Sequence, residues 1–190
     1  MMEFVYAYAY FILYAFLGWV CEDLYCGIPT KKFINRGFFY GPYCPIYGVG
    51  ALLVLYPLLF VKDYPILVFV LGVIITSALE YITSWVMEIL FKTRWWDYSE
   101  RFMNINGRVC LLNSTLFGIM SIVVIYIIHP IIQDIVMDIP FTALMSFLSA
   151  FTIGFGIDCV FTVLALLRRK QVFQKVQVQM EAFKKDFEAE

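Results

Sequence analysis

Five apolar stretches, near Phe4–Tyr25, Pro45–Val61, Ile66–Phe91, Val109–Ile128 and Pro140–Leu167, take up most of the 190 residues. Each approaches the ~20 residues a helix needs to cross the ~30 Å hydrocarbon core of a bilayer. In lipid a spanning segment must satisfy its backbone polar groups internally, so runs of this length fold as helices. Hydrophobic residues make up 62% of the chain and charged residues only 15%, too few to cover a soluble surface of this size. The start of the chain, Met1-Met2-Glu3-Phe4, lacks the basic residues of a secretory signal, so the first stretch is expected to remain as structure.

The breaks between the stretches orient the chain. Lys31, Lys32 and Arg36 fall in the first break; Lys92, Arg94, Arg101 and Arg108 fall in the third. Arg168, Arg169, Lys170, Lys175, Lys184 and Lys185 follow the last stretch. Five spans with the N-terminus outside put every basic residue except Lys62 on the cytoplasmic side, as the positive-inside rule requires. The expectation is a multi-pass protein of a bacterial cytoplasmic membrane, in contact with lipid, with its C-terminus in the cytoplasm. The net charge of −1 is uninformative about partners, and nothing in its distribution calls for nucleic acid.

Cysteine and histidine exclude some chemistry. Cys21, Cys26, Cys44, Cys110 and Cys159 form no CxxC pair, and on the cytoplasmic side their thiols stay reduced. With His129 as the sole histidine, neither a metal site nor a cofactor is expected. Cys44, in Pro42-Tyr43-Cys44-Pro45, reads either as a reactive thiol or as a small residue packed in a rigid turn.

An internal repeat organises the spans. Trp19-Val20-Cys21-Glu22-Asp23-Leu24-Tyr25 returns 66 residues later as Trp85-Val86-Met87-Glu88-Ile89-Leu90-Phe91. Cys44-Pro45-Ile46-Tyr47-Gly48-Val49 matches Ser114-Thr115-Leu116-Phe117-Gly118-Ile119 at an offset of 70, and Tyr56 then falls on Tyr126. Asn35-Arg36-Gly37 has a permuted counterpart in Asn106-Gly107-Arg108. The fold expected is an all-α membrane domain over 1–167. It comprises two tandem hairpins of the same orientation (about 4–61 and 66–128) and a fifth helix (about 140–167). The hairpins would be related by a pseudo-twofold axis along the membrane normal, an arrangement that places sites between repeats.

Acidic residues inside spanning helices cost ~2.5–3.5 kcal/mol at the helix centre and mark functional sites by default. Glu80 lies deep in the third stretch and Asp158 inside the fifth; Glu22 and Glu88 lie nearer the cytoplasmic boundary. Glu80, Ser84 and Glu88, four residues apart, share one helix face, which Ser77 joins. Arg36 and Arg108 sit where their loops re-enter the membrane and are the natural partners of Glu22 and Glu88, as structural clamps or as ligand-binding groups. Glu80 has no obvious base. The candidate substrate-binding set is Glu80, Glu22, Glu88, Arg36, Arg108, Asn35, Asn106, Asp97 and Ser84.

Asn35–Gly48 is too rich in Gly, Pro and aromatics to be a plain connector. It reads either as a re-entrant segment or as an interfacial aromatic belt, and Trp95-Trp96-Asp97-Tyr98 admits the same two readings. Beyond the last span, Val172, Val176, Met180, Phe183 and Phe187 recur at helical spacing, so 168–190 is expected to be an amphipathic cytoplasmic helix.

Gly18-Trp19…Glu22, Asn35-Arg36-Gly37-Phe38 and Gly41-Pro42-x-Cys44-Pro45-Ile46-Tyr47-Gly48 are the first motifs of a larger set. Glu80-Tyr81-x-Thr83-Ser84, Glu88, Trp96-Asp97-Tyr98-Ser99 and Asn106-x-Arg108 complete it. Together, over roughly residues 10–130, they resemble the bacterial "putative ABC-transporter type IV" permease family. The resemblance implies a membrane permease moving a small substrate. The chain has no G-x-x-x-x-G-K-(S/T) phosphate loop, so an ATPase would be a separate chain, and five spans call for a homodimer or another partner. The expected protein is thus not itself an enzyme. The alternatives are a lipid- or head-group-binding protein or enzyme at the cytoplasmic interface, and a non-catalytic assembly subunit.

Overall fold

The computed structural model describes the backbone of residues 2–30 and 38–188 and the side chains of 2–24 and 38–168; Asn35 and Arg36 lie outside the described residues. Among the described residues the structure is helical apart from one small hairpin of strands. Helix α1 runs Met2–Thr30, α2 Pro45–Leu58 with a 3-10 extension Leu59–Val61, and α3 Pro65–Phe91. Strands β1 (Asn104–Ile105) and β2 (Val109–Cys110) pair antiparallel, Asn104 with Cys110 and Ile105 with Val109. Helix α4 (Leu111–Val123), a π-helical segment (Val124–Ile128) and α5 (His129–Asp138) follow without interruption, and α6 runs Phe141–Glu188.

Among the described residues, four helical segments are long and apolar enough to cross a membrane: Met2–Leu24, Pro65–Phe91, Leu111–Asp138 and Phe141–Arg168. Pro45–Val61 is apolar but shorter. The chain is therefore a multi-pass helical membrane protein.

Three details differ from the sequence reading. The break expected over His129–Asp138 is helix. Gln133, Asp134 and Asp138 suggest a loop, but their polarity is tolerated at the end of a 28-residue segment that outruns the hydrocarbon core. Pro130 lacks an N–H and would crowd the carbonyl four residues back; the wider π turn immediately before it relieves that conflict without ending the helix. Secondly, Val109 and Cys110 belong to the strand pair, so the fourth helix starts only at Leu111. Thirdly, no break separates the last span from the tail: α6 is one helix of 48 residues, about 72 Å long.

Packing divides the bundle into two halves. Ala9, Ile12, Tyr14, Val54, Leu55, Leu58, Val68, Ile125, Ile132, Val136, Leu144 and Leu148 form one core. All of them lie toward the end of the bundle that carries the short 62–64 and 139–140 turns. The opposite, loop-bearing half holds the buried polar groups Glu80, Ser84, Arg108 and Ser114. Close approach within each half of the chain depends on two glycines. A Cβ on Gly48 would strike the backbone of Phe11 in α1, and one on Gly118 would strike Phe69 and Val73 in α3. Tyr47 of α2 and Phe117 of α4 meet with ring centroids 6.2 Å apart.

Candidate functional site

Both long loops fold back into the bundle. The amide of Cys44, at the end of the first loop, donates to the carbonyl of Ala15 at 2.8 Å. Ala15 lies about midway along α1 (Met2–Thr30), so the loop reaches well into the bundle. The same loop donates to Asp158 through the amides of Tyr40 (3.2 Å) and Gly41 (2.8 Å) and through the Tyr43 hydroxyl. Thr162 adds its hydroxyl at 2.9 Å. Asp158 is itself ten residues, about 15 Å along the helix, before Arg168, where the basic cluster that follows the last apolar run begins. A re-entrant backbone survives in a membrane only when protein satisfies it, and here the intramembrane carboxylate supplies the acceptors. Aromatic packing closes the loop's sides: Phe38 lies against Phe91 and Trp95, while Phe39 and Tyr43 lie against Phe155.

The second loop reaches the level of Glu80 to Ser84. Arg108, 9% exposed, donates from Nη2 to Glu88 Oε2 at 2.6 Å and from Nη1 to Ser84 Oγ at 3.2 Å. Its guanidinium carbon lies 5.7 Å from the centre of the Tyr81 ring. Trp96 Nε1 donates to the Arg108 carbonyl at 3.0 Å, and the Tyr98 hydroxyl donates to Glu80 Oε1 at 3.2 Å. The turn that allows this is specific. Asn106 and Gly107 both have positive φ, 53° and 68°. A side chain at Gly107 would also run into Ser99 and Asp97, so only glycine meets both demands there.

The expected site residues separate into three groups. Glu80, Ser84, Glu88 and Arg108 are brought together along α3, with Ser77 linked to Ser114 at 2.7 Å on the same wall. Glu22 stands on α1 and accepts from the Tyr47 hydroxyl at 2.6 Å. Tyr47 in turn lies against Phe117 of the second hairpin, with ring centroids 6.2 Å apart. Asp97 and Asn106 instead serve the loop. Asp97 accepts from the amide and hydroxyl of Ser99, which hold its carboxyl below the usual range, and Asn106 Nδ2 donates to Tyr81 at 2.8 Å. Arg94 adds a second cation to Glu88 at 3.1 Å.

Glu80 is 7% exposed, and its Oε2 has no hydrogen-bond partner among the described residues. Burial, then the adjacent Glu80 carboxylate, pushes the Tyr98 phenol up, so it remains a neutral donor. Cys44 is resolved as a packing residue: burial, reinforced by Glu22 and Asp23, pushes its thiol up to about 11, the opposite of an activated nucleophile. Sequence reasoning assigned no site role to Tyr47, Tyr98 or the loop-holding Asp158. The two tyrosines stood out only as members of motifs, and Asp158 only as a carboxylate inside an apolar run.

These features define a multi-pass membrane protein with a charged interior at one end of its bundle. The chain belongs to the family described as "Putative ABC-transporter type IV", which matches it over residues 9–163. Comparison with curated proteins and with solved structures gives no match.

Proposed function

We propose that the chain is the membrane-spanning subunit of an ABC-type transporter, with its small-substrate cleft between the two hairpins of the loop-bearing half. The observation that carries this reading is Glu80. It is a buried carboxylate with a free oxygen, set where α3 and the second loop meet. An acid retained at this depth is functional by default. The apolar core closes the opposite half, and the basic residues put the open half in the cytoplasm.

Duplication of the hairpin supports the placement of the cleft. Tyr47 and Phe117, equivalent at an offset of 70, touch each other, as residues on a twofold axis must. Gly48 and Gly118, equivalent at the same offset, each seat the preceding helix of their own hairpin. Such an axis puts the site between the repeats. The ATPase is a separate chain that docks on the cytoplasmic loops or the α6 tail, and a second copy of the subunit completes the pathway.

Native mass spectrometry of the protein, extracted gently from its own host membrane, tests the assignment. A co-purifying nucleotide-binding chain is the expected result; a monomer or homodimer carrying only lipid overturns it. Within the complex, Glu80→Gln should abolish substrate-dependent transport while leaving assembly intact. Loss of the folded subunit would instead make Glu80 structural.

A further inference from the structure

The two loops are held by different kinds of bond. The first is tied to helices through its backbone: the Cys44 amide to Ala15, and the Tyr40 and Gly41 amides to Asp158. Between Asp97 and Asn106, no backbone group of the second loop bonds to a helix among the described residues. Side chains alone carry this stretch to α3. The Tyr98 hydroxyl donates to Glu80 Oε1 at 3.2 Å, and Asn106 Nδ2 donates to the Tyr81 hydroxyl at 2.8 Å. Exposure divides the loop at one point. From Asp97 to Asn106 every residue except Tyr98 and Asn104 is exposed, including the apolar Phe102, Met103 and Ile105, whereas Gly107 to Cys110 are all buried.

The exposed stretch is a body of its own. Its neck is closed by the Tyr98 amide donating to the Gly107 carbonyl at 2.8 Å. The Asn104 side chain braces its inside, donating to the carbonyls of Ser99 and Arg101 at 3.0 and 2.9 Å and accepting from the Gly107 amide at 3.0 Å. Compact loops with closed ends and their own internal bonds open as units. The segments on either side are fixed: Trp95 packs on Phe91, and Arg108 is clamped to Glu88 and Ser84. Only a strand pair two residues long and the neck bonds join the stretch to that base. The boundary falls at Gly107, the residue type with the widest backbone freedom.

We propose that residues 97–106 form a flap over Glu80 that opens about Gly107, with the Tyr98 hydroxyl as its latch and the Glu88–Arg108 pair left closed. This deepens the transporter reading, from which it takes Glu80 as the ligand-binding acid. With the flap shut, Tyr98 occupies Oε1 and leaves only Oε2 free; with the flap open, both oxygens are offered to a ligand entering from the loop-bearing end. Opening itself needs neither an ATPase nor a substrate.

The test is chemical labelling of the full chain in detergent. A water-soluble carbodiimide with glycine ethyl ester reads access to Glu80, and N-ethylmaleimide reads access to Cys110, buried in the base of the same loop. Adducts are located by mass spectrometry of peptides, and each rate is normalised to that of the unfolded chain. In the wild type Glu80 should react well ahead of Cys110, because the flap opens while the base stays shut. Asn104→Ala touches no group on α3, and should speed labelling of Glu80 roughly tenfold while leaving Cys110 unchanged. Where that variant does not fold, Asn106→Gly replaces it, removing the tie to Tyr81 while tolerating the left-handed backbone, with the same expectation. Glu80 and Cys110 reacting in step in the wild type would mean that only unfolding of the hairpin exposes Glu80, and would overturn the proposal. So would a Glu80 rate that loosening the flap does not change. A chain that carries no ATPase partner but shows the expected labelling would refute the transporter assignment and leave the flap standing.

Discussion

Replacing Asp158 by Asn isolates the contact that holds the first loop inside the bundle. Asp158 Oδ1 accepts from the Tyr40 amide and Thr162, and Oδ2 accepts from the Gly41 amide and Tyr43. Asparagine keeps one acceptor oxygen and turns an NH2 group toward the other pair of donors, so two bonds to a charged acceptor are lost. Such bonds are each worth about 1.5–3 kcal/mol. Because Asp158 is only partly buried, roughly 2–4 kcal/mol is the reasonable net loss. The aromatic contacts of Phe39 and Tyr43 with Phe155 remain, so the loop should open locally before the bundle unfolds. Cys44 reports on this opening, since its amide ties the loop to Ala15 and its side chain is half-buried. In a variant whose only cysteine is Cys44, maleimide labelling in the fast-reclosing regime follows the opening equilibrium. At 1.4 kcal/mol per factor of ten, the labelling rate should rise roughly 30- to 700-fold. A rate equal to that of the parent would mean that Asp158 does not hold the loop, and the account of its depth would fail.

Gly107→Ala meets both a positive φ and the Ser99 and Asp97 side chains, and should cost about 1–3 kcal/mol, visible as a lowered melting temperature. An unchanged melting temperature would show that the turn relaxes freely. Arg108→Lys keeps the charge but cannot reach Glu88 and Ser84 together. Its melting temperature should fall below wild type, and a cycle with Glu88→Gln should show coupling between the two sites; additive effects would exclude the pair as a clamp. Alkylation of Cys44 by iodoacetamide should be slow at neutral pH and climb about tenfold per pH unit until pH approaches 11, because the raised thiol pKa delays thiolate formation. A plateau near the pH of an ordinary free thiol would contradict its burial.

The spans were legible because membrane helices obey a length and hydropathy rule that hardly depends on tertiary contacts. Pro45–Val61 falls where the sequence reading puts it, and Pro65–Phe91 starts one residue early. The face shared by Glu80, Ser84 and Glu88 follows from helical spacing alone, and the pairing of Arg108 with Glu88 follows from the end of the loop lying beside the end of the helix. What stayed hidden depends on contacts far apart in the chain. Tyr43 and Asp158 are 115 residues apart, and nothing local to either one points to the other. The strand pair of Asn104–Cys110 was hidden because two-residue strands leave no periodicity to read. The helical course of His129–Asp138 was hidden because Pro130 and the acids around it look like a turn unless the preceding π segment is known.

On the duplication reading, the most telling feature is where the two halves differ. Glu22 and Glu88 hold the same place in their repeats, yet Glu88 is clamped by two arginines and Glu22 is met only by a phenol among the described residues. Glu80 itself stands, at the same offset of 66, where the first repeat has Tyr14, a buried residue whose hydroxyl meets His129 Nδ1 at 3.3 Å. A strictly symmetric pair of hairpins would place every charge twice and leave no preferred side for a ligand. Here one hairpin carries the fixed ion pairs that hold its loop in place. Glu80, with no cation among the described residues, stands on that same hairpin, and Glu22 on the other. Motion of one hairpin against the other would therefore alter the surroundings of Glu80 and Glu22 while leaving the Glu88–Arg108 clamp within its own hairpin undisturbed. In the transporter we propose, that would separate a fixed Glu88–Arg108 unit from acids whose surroundings change as the hairpins move.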